Sequence, residues 1–274
     1  MKFKSQLFLL PILLIISCGQ ADYQDESKTA ENTENESQAI ASKAKNDFVL
    51  SVEKAHQTND FLESENVQFD IKLYFGGNER LDATITMATN STSAVIEKRD
   101  GSRMIYTGEK SFVFPDSAIY KKARFDMFTW TYFFALPYKL SDPGTQWSTF
   151  TGEKTINETE YKTKKLTFDS NIGDSPDDWY VLYSDPETNL LNYAAYIVTL
   201  SKSTEEAEKD PHAIQYSDYK DIDGIPIAHS WTFWAWAADS GTTDKLGYAE
   251  VSNISFPQLD DSFYNVPENA AEIE

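Results

Sequence analysis

The sequence predicts a mainly antiparallel β domain with helices, in which a half-open, curled sheet approaches a barrel. Three observations support this fold class. Short segments alternate apolar and polar residues and are mostly bounded by Gly, Pro, Asn or Asp. One segment before them and one among them have helical periodicity instead. Residues 40–274 are also rich in Phe, Tyr and Trp and contain no polar linker, so we expect a single domain.

Residues 1–17 have the pattern of a secretion signal that ends before Cys18, the only cysteine of the chain. The apolar run from Leu7 to Ile16 is about half the ~20 residues that a transmembrane helix needs. The aliphatic pair and serine before Cys18 resemble the end of bacterial lipoprotein signals. This resemblance implies cleavage before Cys18 and lipid attachment there, so that acyl chains such as palmitate hold the protein on a membrane. The alternative is an ordinary secretory signal with a chance cysteine.

The segment that follows, residues 18–39, is predicted to be a disordered acidic tether, because it contains too little apolar surface to offset the entropy of ordering. The whole chain has 44 acidic and 24 basic side chains and a formal net charge of -20. Such a charge repels phosphate backbones, so nucleic acid is excluded as a partner. We expect a monomer that needs no cofactor.

Residues 40–56 predict an amphipathic first helix, because their apolar side chains recur three or four positions apart. The period then changes to two in residues 69–75 and 81–87, and the Gly-Gly-Asn turn between them indicates a β-hairpin. Further strands are predicted at residues 93–99, 102–107, 111–114, 159–169, 178–184, 190–200, 213–220, 225–237 and 246–256.

Residues 121–136 predict an internal aromatic helix that ends before Pro137. Its apolar side chains form two stripes, one with Phe125, Phe128, Tyr132 and Leu136 and the other with Met127, Trp130 and Phe134. A helix that is apolar nearly all round either completes a core or covers a hydrophobic cavity. Both interpretations remain open from the sequence, as a plug in a wide sheet or as a lid over a ligand.

The predicted strand 225–237 is also apolar on both faces. One face has His229, Trp231 and Phe233, and the other has Trp234 and Trp236. A strand with one solvated face would not have this composition. We therefore expect the helices to cover one face, and either core or ligand to cover the other.

Together these features resemble the LolA-like fold, a half-open antiparallel barrel closed by helices and used by periplasmic carriers and receptors of lipoproteins. The resemblance is carried by two segments, 178–191 (DWYVLYSDPETNLL) and 216–227 (YSDYKDIDGIPI). Residues 136–144 (LPYKLSDPG) are similar to a segment of uncharacterised Gram-negative lipoproteins. The resemblance implies a hydrophobic cavity, but no functional position of the carriers is matched residue by residue.

Motifs for catalysis or metal binding are weak. Asp239-Ser240-Gly241-Thr242 matches an aspartic-protease motif, but a single copy between two strands is more typical of a turn. Carboxylates between Asp174 and Asp185 offer oxygen ligands for calcium without the spacing of an EF-hand. The three histidines lack metal-ligand spacing. We therefore assign no catalytic and no metal residue, and calcium binding stays open.

The sequence favours a non-enzymatic, membrane-anchored lipoprotein that binds an acyl chain or another hydrophobic ligand in the cavity of a half-barrel. The expected location is the outer membrane, on its periplasmic face or at the cell surface. The candidate ligand-binding residues are Phe125, Phe128, Trp130, Tyr132, Phe134, Trp179, His229, Trp231 and Phe233. Two alternatives remain, an interaction or structural module with a filled core and an envelope hydrolase. A large apolar void would favour ligand binding over the module.

Overall fold

The computed structural model of the protein describes residues 47–156, 158–200 and 202–273. The predicted signal, Cys18, the predicted tether and the start of the first helix lie outside the described residues. Within them, thirteen strands form one sheet in which every adjacent pair is antiparallel. The predicted fold class, a mainly antiparallel and incompletely closed sheet with few helices, is confirmed.

The helical segments are α1 (residues 47–55), α2 (Thr58–Glu63), α3 (Ala123–Ala135) and α4 (Thr204–Ala207), with short 3-10 turns at Asp116–Ala118, Leu136–Tyr138 and Asp261–Tyr264. The strands are β1 (Asn66–Phe75), β2 (Asn78–Ala88), β3 (Ala94–Lys98), β4 (Arg103–Tyr106), β5 (Ser111–Phe114), β6 (Thr145–Ile156), β7 (Thr159–Phe168), β8 (Tyr180–Ser184), β9 (Leu191–Tyr196), β10 (His212–Ile222), β11 (Ile225–Ala237), β12 (Gly241–Ser255) and β13 (Ala271–Ile273). Their order in the sheet is β13-β5-β4-β3-β2-β1-β12-β11-β10-β9-β8-β7-β6.

The predicted helices and strands are recovered with small shifts in their ends. The internal helix predicted at 121–136 is α3, and the first helix is helical over 47–55, its described part. Four helices and strands were not predicted from the sequence, namely α2, α4, β6 and β13. The last two form the ends of the sheet order, so that each pairs with a single neighbour among the described residues.

The main core lies on one face of the sheet and is built largely from aromatic side chains. Phe69 of β1 stacks on Phe134 of α3 with ring centroids 3.9 Å apart. Phe61 of α2 stacks on Tyr138 at 3.8 Å. Trp130 of α3 meets Phe233 of β11 edge to face at 5.9 Å. These contacts join α3 to the central strands β1 and β11 and join α2 to the turn that follows α3. Both helices are therefore fixed on this inner face of the sheet.

The opposite face carries a second, smaller hydrophobic cluster, and this explains why β11 is apolar on both sides. Buried members of this outer cluster are Ile156, Tyr161, Tyr183, Tyr193, Ala195 and Ala213. Trp234 and Trp236 of β11 pack against it, and Trp236 Nε1 donates a hydrogen bond to the Tyr183 hydroxyl at 3.1 Å. Trp231 and Phe233 alternate with them and lie in the main core. The second face of β11 is therefore covered by this cluster.

The end of the β11–β12 hairpin approaches edge strand β6. Lys154 Nζ of β6 donates to the Ala238 carbonyl at 2.7 Å. Ile156 lies close to Gly241, where a Cβ atom would be 3.2 Å from the isoleucine Cγ1. The sheet thus curls far enough for β6 and this hairpin to meet, and these contacts enclose the outer cluster.

None of the helices in the described ranges is both long and apolar enough to cross a lipid bilayer.

Candidate functional site

A cavity of about 500 Å³ lies beside α3, between this helix and several strands of the sheet. Its wall includes Phe125, Phe128 and Tyr132 from α3, which belong to one helical stripe. Across from them the wall includes Phe168 at the end of β7 and Tyr180 at the start of β8. The volume falls within the ~300–1,000 Å³ range of small-molecule pockets.

The sequence of α3 explains why this helix can line a cavity and also complete a core. Trp130 and Phe134 are 4% exposed and point into the main core, whereas Phe125, Phe128 and Tyr132 are only partly buried. The two apolar stripes predicted from the sequence therefore have different environments. Trp130 and Phe134 of one stripe are packed between helix and sheet, and Phe125, Phe128 and Tyr132 of the other face open volume. The separation is incomplete, since Leu136 is fully buried and Met127 also borders the cavity.

One part of the cavity wall is built from tyrosines. The rings of Tyr132 and Tyr180 lie 5.4 Å apart, and Tyr180 stacks on Tyr196 at 6.0 Å. Burial raises the pKa of all three hydroxyls, and the nearby Asp178 carboxylate raises each further. These groups therefore remain uncharged at any ordinary pH and can both donate and accept hydrogen bonds.

The charged residues around the cavity are paired. Arg124 Nε donates to Asp174 Oδ1 at 2.9 Å, and its guanidinium lies 5.0 Å from the Phe128 ring centroid. Lys139 forms an ion pair with Asp142. The first pair connects α3 to the loop between β7 and β8, the second lies within the turn after α3, and each neutralises a cation of the cavity wall.

Asp178 is a partly buried carboxylate of the cavity wall. Its Oδ1 accepts hydrogen bonds from the Thr199 amide at 2.8 Å and the Thr199 hydroxyl at 2.7 Å. Burial raises its pKa, and the two hydrogen bonds oppose that effect only in part. Asp178 thus joins the loop before β8 to the segment after β9 and fixes the position of Tyr180, two residues along the chain.

The structure brings together three of the ligand-binding residues predicted from the sequence and distributes the others. Phe125, Phe128 and Tyr132 line the cavity. Trp130, Phe134, Trp231 and Phe233 are at most 4% exposed and belong to the main core. Trp179 lies with Trp236, their rings 6.1 Å apart, and donates from Nε1 to Glu208 at 3.0 Å. His229 is partly buried in β11, outside the cavity wall.

Sequence reasoning missed the tyrosines that the sheet contributes to this site, Tyr106 of β4, Tyr180 of β8 and Tyr196 of β9. The signal was present, because Tyr180 alternates with Leu182 in β8 and Tyr196 alternates with Ala194 in β9, and all four face the main core. Period-two alternation places residues on a shared face. It does not say which residues on that face meet open volume, so the pattern alone could not separate these tyrosines from packed ones.

The carboxylates considered for calcium do not converge. Asp174 pairs with Arg124, Asp178 bonds to Thr199, and Asp185 accepts from the amide and hydroxyl of Thr188. Among the described residues, no group of three His, Cys, Asp or Glu side chains has the arrangement of a metal site. Asp239, of the protease-like motif, lies in the turn between β11 and β12.

Three solved structures are similar to this chain. A DUF1329 family protein from Desulfovibrio piger has a TM-score of 0.50 and 14% identity, covering 81% of this chain and 96% of its own. A LolA superfamily protein from Nitrosomonas europaea has a TM-score of 0.49 and 10% identity, and the match covers 76% of this chain and 97% of the other. An outer membrane lipoprotein-sorting protein domain from Vibrio parahaemolyticus has a TM-score of 0.44 and 8% identity, and the match covers 78% of this chain and 97% of the other. At these identities the similarity concerns the fold alone.

The model of a family of unknown function, DUF6503, matches residues 7–215. No curated protein matches the chain.

Proposed function

The chain belongs to the family of unknown function DUF6503, and we propose that it is a non-enzymatic envelope lipoprotein that binds an acyl chain or another hydrophobic ligand in the cavity beside α3. The observation that carries this proposal is the open volume of about 500 Å³ against the Phe125–Tyr132 stripe. A stripe that merely filled the core would be packed in the way that Trp130 and Phe134 are packed.

The energetics favour an apolar ligand. Transfer of a methylene group from water to an apolar environment contributes about 0.8 kcal/mol. Phe125, Phe128 and Phe168 give the cavity an aromatic wall against which an acyl chain gains this energy. The polar groups of the wall, Tyr132 and Tyr180 among them, would orient the ligand, as a few polar groups do in most small-molecule sites.

The membrane anchor is part of the same proposal. Acylation of Cys18 rests on the lipoprotein-like end of the apolar run, and an outer-membrane location rests on Gly19, because an aspartate there would favour retention in the inner membrane. The anchor would keep the cavity close to a source of acyl lipids. The second candidate, an interaction module with a filled core, is favoured by the deep burial of Trp231 and Phe233.

A titration tests the binding proposal. Protein spanning residues 40–274 is titrated with a monoacylglycerol that carries an environment-sensitive fluorophore on its acyl chain. We expect saturation near one probe per protein and loss of binding in Phe128→Trp, which narrows the cavity. Phe112→Trp is the matched control, because Phe112 lies on β5 outside the cavity wall. Equal binding by both variants, or no saturable binding by the unmodified protein, would favour the interaction module.

A further inference from the structure

We infer that the ligand of this cavity carries an uncharged, hydrogen-bonding headgroup, such as the glycerol hydroxyls and ester of a monoacylglycerol, beside its acyl chain. This inference rests on the proposed function and names the class of lipid. It excludes free fatty acids, whose headgroup is a carboxylate. Three independent features of the cavity support it.

The first feature is a pair of largely buried tyrosines whose hydroxyls open into the cavity and have no protein partner. Tyr180 and Tyr196 are only 7% and 5% exposed, and both line the cavity. Neither hydroxyl hydrogen-bonds to a described residue. A few polar groups in a mostly apolar pocket typically fix the orientation of a ligand, because a ligand group can replace the water they would otherwise bond. A ligand headgroup in the cavity would supply the missing partner.

The second feature is the contrast with buried tyrosines elsewhere in the same core. The Tyr216 hydroxyl donates to the Phe133 carbonyl at 2.7 Å, and the Tyr219 hydroxyl donates to the Leu191 carbonyl at 2.6 Å. The Tyr138 hydroxyl donates to the Pro226 carbonyl at 3.2 Å. Tyr138 and Tyr216 are also buried and Tyr219 is partly buried, and each finds a backbone acceptor. The lack of such an acceptor distinguishes Tyr180 and Tyr196 from these tyrosines.

The third feature is the charge of the wall. Its cations, among the described residues that line the cavity, are Arg124 and Lys139, and each is already paired with an aspartate. Glu109 and Asp178 add two further carboxylates, so negative charge exceeds positive charge around the cavity. A buried anion needs a partner charge to offset its desolvation. A carboxylate headgroup would find none here, whereas an uncharged hydroxyl or ester can bond to Tyr180 and Tyr196.

A cationic headgroup fits less well than a neutral one. Asp142 and Asp174 are occupied by their ion pairs, Asp178 accepts two hydrogen bonds from Thr199, and Glu109 is exposed to solvent. The wall groups that remain free to bond are uncharged hydroxyls, those of Tyr180 and Tyr196 and the buried, unpartnered Oγ atoms of Ser91 and Ser111. The tyrosine hydroxyls stay protonated, since burial raises the pKa of Tyr180 and Tyr196.

The experiment compares three photoreactive probes that have the same acyl chain and differ in headgroup, namely a monoacylglycerol, a free fatty acid and an acyl amine. Each is mixed at equal mole fraction into phosphatidylcholine vesicles that carry the full-length protein. Samples are irradiated at about pH 9, where a free carboxyl is ionised, and labelled peptides are quantified by mass spectrometry. The readout is labelling of the peptide that contains Phe125 and Phe128.

We expect the monoacylglycerol to label this peptide at least about fivefold more than either charged probe, the factor that corresponds to one net hydrogen bond. Tyr180→Phe/Tyr196→Phe, which keeps both rings, should lower monoacylglycerol labelling by about fivefold or more and leave fatty-acid labelling unchanged. Tyr248→Phe is the control, because it removes a half-exposed hydroxyl outside the cavity wall. The comparison of probes on unmodified protein does not depend on how the double variant folds.

The two levels of the proposal fail differently. Equal or stronger labelling by the fatty acid or the acyl amine, or an unchanged preference in the double variant, would overturn the headgroup inference and leave acyl-chain binding intact. Absence of labelling at the cavity by every probe would overturn the proposed function itself. Labelling by all three probes that persists in Phe128→Trp would do the same, since it would arise outside the cavity.

Discussion

Arg80 of β2 donates from Nη2 to Oδ1 of Asp126 at 2.6 Å, and Asp126 is a completely buried carboxylate on α3. The same carboxylate accepts a hydrogen bond from the Tyr120 hydroxyl at 2.6 Å and one from Trp130 Nε1 at 2.9 Å. An otherwise apolar helix is thus tied to the sheet by one polar network. This network sets which stripe of α3 faces the core and which faces the cavity.

Loss of the Asp126 carboxylate should therefore be costly. We expect Asp126→Ala to lower the free energy of unfolding by about 3 kcal/mol, because it leaves a largely buried Arg80 without its counter-charge. Urea denaturation measures this loss. Asp239→Ala, at an exposed turn, should stay within about 0.5 kcal/mol of the unmodified protein. A similarly small effect of Asp126→Ala would mean that packing alone positions α3.

Alanine substitutions should separate core aromatics from those that face the cavity. Phe69→Ala and Phe233→Ala should each cost about 3–5 kcal/mol, because both side chains are fully buried and truncation leaves a void. Phe128→Ala should cost distinctly less, since its side chain already borders open volume. Chemical denaturation of the three variants provides the comparison. Equal losses at all three positions would identify Phe128 as ordinary core filling.

His56 should make the stability of the protein depend on pH. It is completely buried, its Nε2 accepts a hydrogen bond from the Leu191 amide at 2.9 Å, and burial lowers its pKa to about 3. In the unfolded chain its pKa is about 6.5. Between these two pH values the unfolded state therefore binds one more proton than the folded state. The stability that the protein gains from burying a neutral imidazole is complete above pH 6.5 and is lost as the pH falls toward 3.

Urea denaturation of the unmodified protein and His56→Gln at several pH values measures this effect. Between about pH 6 and 5 the unmodified protein should lose about 1.2 kcal/mol more than the variant does. The variant retains an acceptor for the Leu191 amide, and it removes the titrating group. Parallel pH profiles for the two proteins would show that His56 is protonated in the folded state as readily as in the unfolded one.

Gly247 should tolerate no side chain, although its backbone does not adopt a positive φ. It pairs with Phe75 in the β1–β12 ladder, and a Cβ atom there would lie 2.3 Å from the Tyr74 carbonyl oxygen. We expect Gly247→Ala to cost about 1–3 kcal/mol through displacement of the adjacent strand. Gly76→Asn is a suitable control, because nothing lies within 4 Å of its Cβ position and asparagine accepts positive φ. Thermal denaturation should rank the two variants in this order.

The lipid anchor predicted at Cys18 has a direct test. Cells that produce the protein are supplied with labelled palmitate, and the protein is isolated. Cys18→Ser should carry no label and should keep residues 1–17, whereas the unmodified protein is labelled and recovered with outer-membrane fractions. Incorporation of palmitate into the variant would contradict the anchor assignment, and recovery of the unmodified protein with inner-membrane fractions would contradict its location.

Periodicity in the sequence was sufficient to predict most of the sheet. The hairpin of β1 and β2 has strict period-two alternation, and the Phe69–Phe75 pattern places its apolar side chains on the buried face. Strand β6 was missed because its sequence, TQWSTFTGEKTI, is mostly polar and lacks this alternation. An edge strand can be polar, because backbone hydrogen bonds to its one neighbour hold it in the sheet. Polar side chains there also keep the edge from pairing with another chain. Strand β13 is only three residues long, too short for any periodicity.

The sequence predicted the part of the candidate site that lies on α3 and missed the part that lies on the sheet. The stripe of Phe125, Phe128 and Tyr132 is contained in one helix, so local spacing reveals it. The tyrosines across the cavity come from β8 and β9, and their approach to α3 depends on how the sheet curls. Likewise, the sequence could not distinguish Trp231, which is packed, from a residue that faces a ligand, because both have the same apolar neighbours along the chain.

Strand β11 places Phe233 in the main core and Trp234 in contact with the outer cluster, and the register with β12 shifts between these two residues. A slip of β11 by one residue would send each side chain to the opposite face. At these two neighbouring positions the main core holds the smaller ring, Phe233, and the outer cluster holds the larger ring, Trp234, so the wrong alignment would crowd the first position and leave a void at the second. Strand β11 therefore encodes its own pairing alignment through side-chain volume, and volume-swapping variants of these two residues should fold more slowly as well as less stably.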